Sequence, residues 1–130
     1  MVIVASQAMG NVSVSILKLI GDLNDEEPLT SQSQTIINGG TRHILLDLSE
    51  VPFISSAGLR AIHSVYTLLS PPESPEEQKA RRMGIAAGTY TSSHLKLLNP
   101  TKHGLKALQV SGYDMFLAIY NDQTEALASF

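Results

Sequence analysis

Two adjacent hydroxyls, Ser55 and Ser56, stand where one kind of spacing gives way to another. Upstream, Ile44 to Leu48 is a short, continuous apolar run. Downstream, Leu59, Ile62, Tyr66 and Leu69 follow one another at helical spacing. A hydroxyl at the start of a helix has two uses. It can accept a hydrogen bond from one of the first backbone N–H groups, which have no partner inside the helix. It can also carry an anion, because those donors and the helix dipole favour negative charge. A phosphate on Ser56 would bring about −1.5 to −2 charges at neutral pH. Its own helix would tolerate that charge, while a partner lying over the same spot would be repelled. Spacing alone leaves plain capping and a phosphate switch both open.

Other chemistry finds little support in the chain. The four histidines, His43, His63, His94 and His103, lie on different segments without metal-ligand spacing, so each reads as an ordinary side chain. Cysteine is absent, which removes disulfides, thiolate metal sites and thiol catalysis. There is no phosphate-binding glycine loop, no dinucleotide fingerprint and no Gly-x-Ser-x-Gly elbow. Ser56 has no sequence-local base. A binding module is expected, with no enzyme activity, no metal and no cofactor of its own. The net charge is −3, and basic residues cluster only at Lys79-Ala80-Arg81-Arg82, so nucleic acid is not an expected partner. Nothing approaches the ~20 apolar residues of a membrane span, and Met1 to Gly10 does not read as a secretory signal. A cytoplasmic location without membrane insertion is the expectation.

The elements that must position the serines can be read in order. The 130 residues, 43% hydrophobic, suit one globular domain over 1–130. Val2 to Ala8 and Val12 to Ile20 are β-branched runs separated by Met9-Gly10-Asn11, a hairpin pattern. Glu26-Glu27-Pro28 opens a first helix with a weak apolar stripe at Leu29, Ser33, Ile36 and Ile37, and Gly39-Gly40 ends it. The Ile44–Leu48 run reads as a buried, parallel strand ended by Pro52, with Phe53 and Ile54 turning back to the core. A helix from Ser56 to about Leu69 follows. Around 71–90 the composition breaks, and Ser74-Pro75-Glu76-Glu77 has capping-box form, so a short helix is expected inside a solvated excursion. His94 to Pro100 reads as a strand and its terminator, and Thr101 as the cap of a helix carrying Leu105, Leu108 and Val110. Met115 to Tyr120 reads as another central strand. Asp122 to Glu125 reads as a cap before a terminal helix. Strands alternating with helices imply an α/β fold: a mainly parallel central sheet of four to five strands, an N-terminal antiparallel hairpin, and helices packed on it.

The segment Leu45-Leu46-Asp47-Leu48-Ser49 … Val51-Pro52-Phe53-Ile54-Ser55-Ser56-Ala57-Gly58-Leu59 resembles the signature of STAS domains, in particular bacterial anti-sigma factor antagonists. In that family the signature reads Asp-Ser-(Ser/Thr)-Gly-Leu, and the Ser after the Asp is phosphorylated by the partner anti-sigma kinase. Counting back from Gly58 places that serine on Ser56, with Ser55 where the family has Asp and Ala57 before the glycine. Gly21-Asp22-Leu23-Asn24 matches the family's Gly-Glu-Leu-Asp, whose acidic end lies beside the phosphorylation loop; Asn24 replaces that acid, and Asp22 and Asp25 are nearby. From the residues alone, Asp22 and Asp25 also suit charge and capping at the start of the first helix. The likeness runs from about Val12 to Leu127, apart from an insertion at about 71–90, and rests outside Ser55–Leu59 mainly on element order.

The resemblance implies an anti-sigma factor antagonist. It would bind an anti-sigma factor with serine kinase activity when unphosphorylated, be released by phosphorylation of Ser56, and be restored by a phosphatase. Its partner surface would comprise Ser55, Ser56, Gly58 and Leu59, with Asn24 and Asp25 at the edge. ATP would be the kinase's cofactor. The alternative is an unphosphorylated STAS subunit or scaffold, for example the cytoplasmic partner of a membrane lipid transporter. A weaker third reading, nucleotide or small-ligand sensing by the domain itself, has no phosphate-binding loop behind it.

Overall fold

A computed structural model describes residues 1–69, 75–87 and 92–130. β1 (Val2–Met9) and β2 (Ser13–Ile20) form the expected antiparallel hairpin, paired without interruption from Val2 opposite Ile20 to Met9 opposite Ser13. Three further strands continue the sheet in parallel: β3 (Ile44–Glu50), β4 (Leu95–Leu98) and β5 (Ala118–Tyr120), in the order β1-β2-β3-β4-β5. The helices are α1 (Glu27–Asn38), α2 (Ser56–Leu69), α3 (Pro75–Ala87), α4 (Lys102–Val110) and α5 (Gln123–Ala128).

Period-two alternation sorts side chains between the two faces. On one face Leu17, Leu19, Ile44, Leu46, Leu48, Leu95 and Leu97 meet Leu29 of α1, Ala61, Ile62, Val65, Tyr66 and Leu69 of α2, and Leu108 of α4. On the other, Val14, Ile16, Leu45 and Leu98 meet Ala126 of α5. β3 and β4 are therefore covered on both sides, which is why their sequences read as continuous apolar runs.

Four expectations change. Met115–Tyr120 is not a central strand: Gly112 takes a left-handed φ of 80°, Tyr113–Met115 forms a 3-10 turn, and only Ala118–Tyr120 pairs, at the sheet edge. Phe116 packs instead against Tyr66 and Tyr113, at ring-centroid distances of 5.1 and 5.5 Å. Phe53 does not turn into the core; it is 42% exposed and lies 5.2 Å from the ring of His103, while Ile54 is buried. Val110 is 80% exposed at the end of α4. The helix expected within 71–90 spans thirteen residues, with Arg81 5.8 Å above the Tyr66 ring. The proposed capping role of Ser74 lies outside the described residues.

Among the described residues no helix is long and apolar enough to cross a membrane.

Candidate functional site

The site forms where the segment after β2 is stitched to the segment after β3. Gly21, at φ 107°, turns the chain out of β2. Leu23, fully buried, then bridges Ile54: its N–H donates to the Phe53 carbonyl (2.9 Å), and its own carbonyl accepts from the Ser55 N–H (3.0 Å). α2 begins against this bridge. A Cβ on Gly58 would overlap the Leu23 carbonyl oxygen, so the absence of a side chain lets the helix start this close to the backbone.

The two serines have different jobs. Ser55 is the N-cap: its Oγ accepts from the Gly58 N–H (3.2 Å), and its carbonyl accepts from the Leu59 N–H (2.9 Å). Ser56 is the first residue of α2, is exposed, and its hydroxyl has no hydrogen-bond partner among the described residues. Plain capping, one of the two roles that spacing left open for Ser56, falls instead to Ser55, because the Leu23 carbonyl fixes the Ser55 N–H; Ser56 is left facing solvent at the positive end of the helix.

Leu59 is half-buried, Gly58 is buried, and Asn24 and Asp25 are exposed on the adjoining loop. The Leu23–Ile54 bridge thus brings both sequence-predicted segments, 24–25 and 55–59, to one end of the sheet. Asp25 also has the local role the sequence allowed: its Oδ1 accepts from the Glu27 N–H at the start of α1 (3.3 Å). Asp22, Asn24 and Asp25 line a small hollow of about 110 Å³ with Met1 and Pro28. Arg60, one turn along α2 from Ser56, pairs with Glu26 at 2.9 Å. Both partners are about half exposed or more, so the pair contributes little to stability.

The opposite end of the sheet holds groups that sequence reasoning did not connect. The register that sets Ile44 beside Leu95 also sets the preceding residues, His43 and His94, side by side, with ring centroids 5.1 Å apart. Lys96 is buried (7% exposed), donates to the Ser129 carbonyl (3.0 Å), and lies over the rings of Tyr120 and Phe130. Burial, and then the positive charge near His94 and Lys96, hold His43 below its usual pKa. The only signal in the sequence was the equal spacing of each histidine before its strand. Among the described residues no group of three or more His, Asp or Glu is placed to hold a metal ion.

A family model described as STAS domain matches residues 6–71, just over half of the chain. Solved structures share the fold, three of them as follows. One is a candidate anti-sigma factor antagonist from Thermotoga maritima, with 22% identity over 88% of this chain and 84% of that one and a TM-score of 0.60. The anti-sigma factor antagonist SpoIIAA in its unphosphorylated form has 20% identity over 96% and 94%, with a TM-score of 0.54. The Bacillus cell fate determinant SpoIIAA in its phosphorylated form has 20% identity over 95% and 96%, with a TM-score of 0.58. No curated protein matches the sequence significantly. The matched segment runs from β1 through the Leu23–Ile54 bridge to the end of α2, and by that match this chain belongs to the STAS domain family.

Proposed function

We propose that this chain, as one domain over 1–130 with an insertion at about 71–90, is an anti-sigma factor antagonist switched by phosphorylation of Ser56. It acts as a binding module in the cytoplasm. Unphosphorylated, it engages an anti-sigma factor with serine kinase activity through Ser55, Ser56, Gly58 and Leu59, flanked by Asn24 and Asp25, and so frees a sigma factor. The partner kinase then transfers the γ-phosphoryl group of ATP to Ser56. The hydroxyl oxygen attacks phosphorus, its proton passes to a base of the kinase, and ADP leaves. The new dianion sits at the positive end of α2, where the fold tolerates it, and excludes the partner from that surface. Hydrolysis by a phosphatase restores binding.

The observation that carries this reading is the division of labour between the serines: Ser55 holds the helix end, and Ser56 is exposed without a structural bond. Replacement of the family's Asp by Ser55 leaves the scaffold intact, because Ser and Asp are comparable caps.

The test is binding of Ser56→Asp and Ser56→Ala to an anti-sigma factor with serine kinase activity from the native host. The account expects Ser56→Asp to lose at least about 10-fold in affinity, roughly 1.4 kcal/mol, while Ser56→Ala stays close to wild type. Equal binding by Ser56→Asp and wild type would refute it. The second reading, a constitutive STAS subunit of a membrane lipid transporter, draws on the missing acids at Ser55 and Asn24. Co-purification with an ATPase instead of a kinase would favour it.

A further inference from the structure

β1 is one edge of the sheet, and among the described residues its outer side carries none of the usual protection. Sheet edges are normally blunted by charge, proline, a bulge or a covering element, because their free N–H and C=O groups invite another strand. Val2–Met9 contains no charged residue and no proline, and its pairing to β2 runs without a shift for all eight residues. Of the eight exposed large apolar side chains among the described residues, four are here: Met1 (45%), Val2 (57%), Val4 (49%) and Met9 (80%).

We propose that β1 is a self-association edge, pairing antiparallel with β1 of a second copy of this chain about a two-fold axis. The features of the edge select this occupant. The opposite sheet edge, β5, is three residues long, so a head-to-tail β1–β5 pairing would leave most of β1 bare. A two-fold axis perpendicular to the sheet keeps each face on its own side, so paired positions must share parity. The register centred on Ala5 meets that condition. It sets Val2 opposite Ala8, Ile3 opposite Gln7, Val4 opposite Ser6, and Ala5 opposite Ala5 of the second copy. Small residues meet at the centre, Val4 of each copy lies diagonal to its counterpart, and no like charges face each other. The nearest charges on that face, Lys18 and Glu50, are paired at 3.1 Å. One added strand pair buries less than a standard interface, so the dimer forms at high concentration and exchanges readily. Ser56 follows β3, two strands in from this edge, so the inference is independent of phosphorylation.

Sedimentation equilibrium of the whole chain from about 10 μM to about 1 mM tests it. Wild type should rise from 14.0 kDa towards twice that mass. Ala5→Lys and Ser6→Lys, at two exposed positions with no charge opposite them on β2, should each weaken association at least 10-fold without changing the thermal melt, and amide shifts on dilution should be confined to β1. The proposal is overturned if wild type stays at 14.0 kDa throughout, as it would if only a foreign strand covers β1. It is equally overturned if both folded variants associate like wild type, which would place the contact on another face.

Discussion

Two of the junctions at which a parallel strand hands over to a helix, those after β3 and after β4, are built alike and differ in one residue that matters. At the first, Ser55 Oγ accepts from the Gly58 N–H at 3.2 Å; at the second, Thr101 Oγ1 accepts from the Gly104 N–H at 3.2 Å. Both glycines are buried against a neighbouring segment. The Thr101 hydroxyl also donates to the Val51 carbonyl (2.9 Å), tying the second junction to the strand exit of the first. The residue after the cap is Lys102 in one case and an exposed Ser56 in the other. The caps are scaffold, and the position after the cap is where a function can be written.

The largest contrast is expected at the glycines. Gly58→Ala forces a Cβ onto the Leu23 backbone and should destabilise by about 3 kcal/mol, with loss of the Leu23–Ile54 bridge. Gly104→Ala meets the Ile54 Cδ1 at 3.3 Å and the Thr101 Oγ1 at 3.2 Å, and the Ile54 methyl can shift. Its cost should fall within about 1 kcal/mol of zero, helped by the higher helix propensity of Ala. Urea melts of the two variants check this, and equal costs would break the distinction between the junctions.

The caps come next. Thr101→Ala loses its cap and a short donated bond (2.9 Å to the Val51 carbonyl) and should cost about 2 kcal/mol, whereas Ser55→Ala loses its cap and only a long donated contact (3.5 Å to the Leu23 carbonyl) and should cost about 1. Ser55→Asp keeps the cap, so its stability should stay within about 0.5 kcal/mol of wild type. The same variant restores the family's residue beside Ser56; under the proposed switch, phosphorylation of Ser56 by an anti-sigma kinase should proceed at least as fast, as radiolabel incorporation would report.

How much of this was legible in the sequence follows from where the deciding contacts lie. The hairpin, β3, β4, α2 and the cap of α4 could be read because local spacing and turn chemistry agree with the final packing. Which serine caps α2 could not be read. It is decided by the Leu23–Ile54 bridge, a contact between residues thirty-one apart, which fixes Ser55 by its own N–H. Met115-Phe116-Leu117 has strand composition, but the left-handed Gly112 diverts it and the Tyr66 and Tyr113 rings hold Phe116 off the sheet. The His43–His94 contact and the buried Lys96 depend on strand register, which composition does not carry. Of the candidate site, Ser55 and Ser56 were singled out by spacing, and Gly58, Leu59, Asn24 and Asp25 through family resemblance; the geometry places them at one end of the sheet.

The smallest expected effect is on pH dependence. Ser55 and Thr101 do not titrate, so the two cap hydrogen bonds bring no pH dependence of their own between about pH 8 and pH 5. His43, by contrast, is held below its usual 6.5. Above that value it is neutral in both folded and unfolded chains and contributes no pH dependence. As pH falls below it the unfolded chain takes up the proton more readily, and stability is lost down through the folded pKa. Thermal melts at about pH 8 and about pH 5.5 should show part of this loss removed in His43→Gln. An unchanged slope would move the acid sensitivity elsewhere.

The most direct measurement is phosphopeptide mapping with intact mass on this protein isolated from its native host under several stresses. The account predicts a single phosphate on Ser56 whose occupancy changes with stress. Complete coverage of the Ser56 peptide with no phosphate in any condition would contradict it, leaving Ser56 as an exposed helix residue beside a cap.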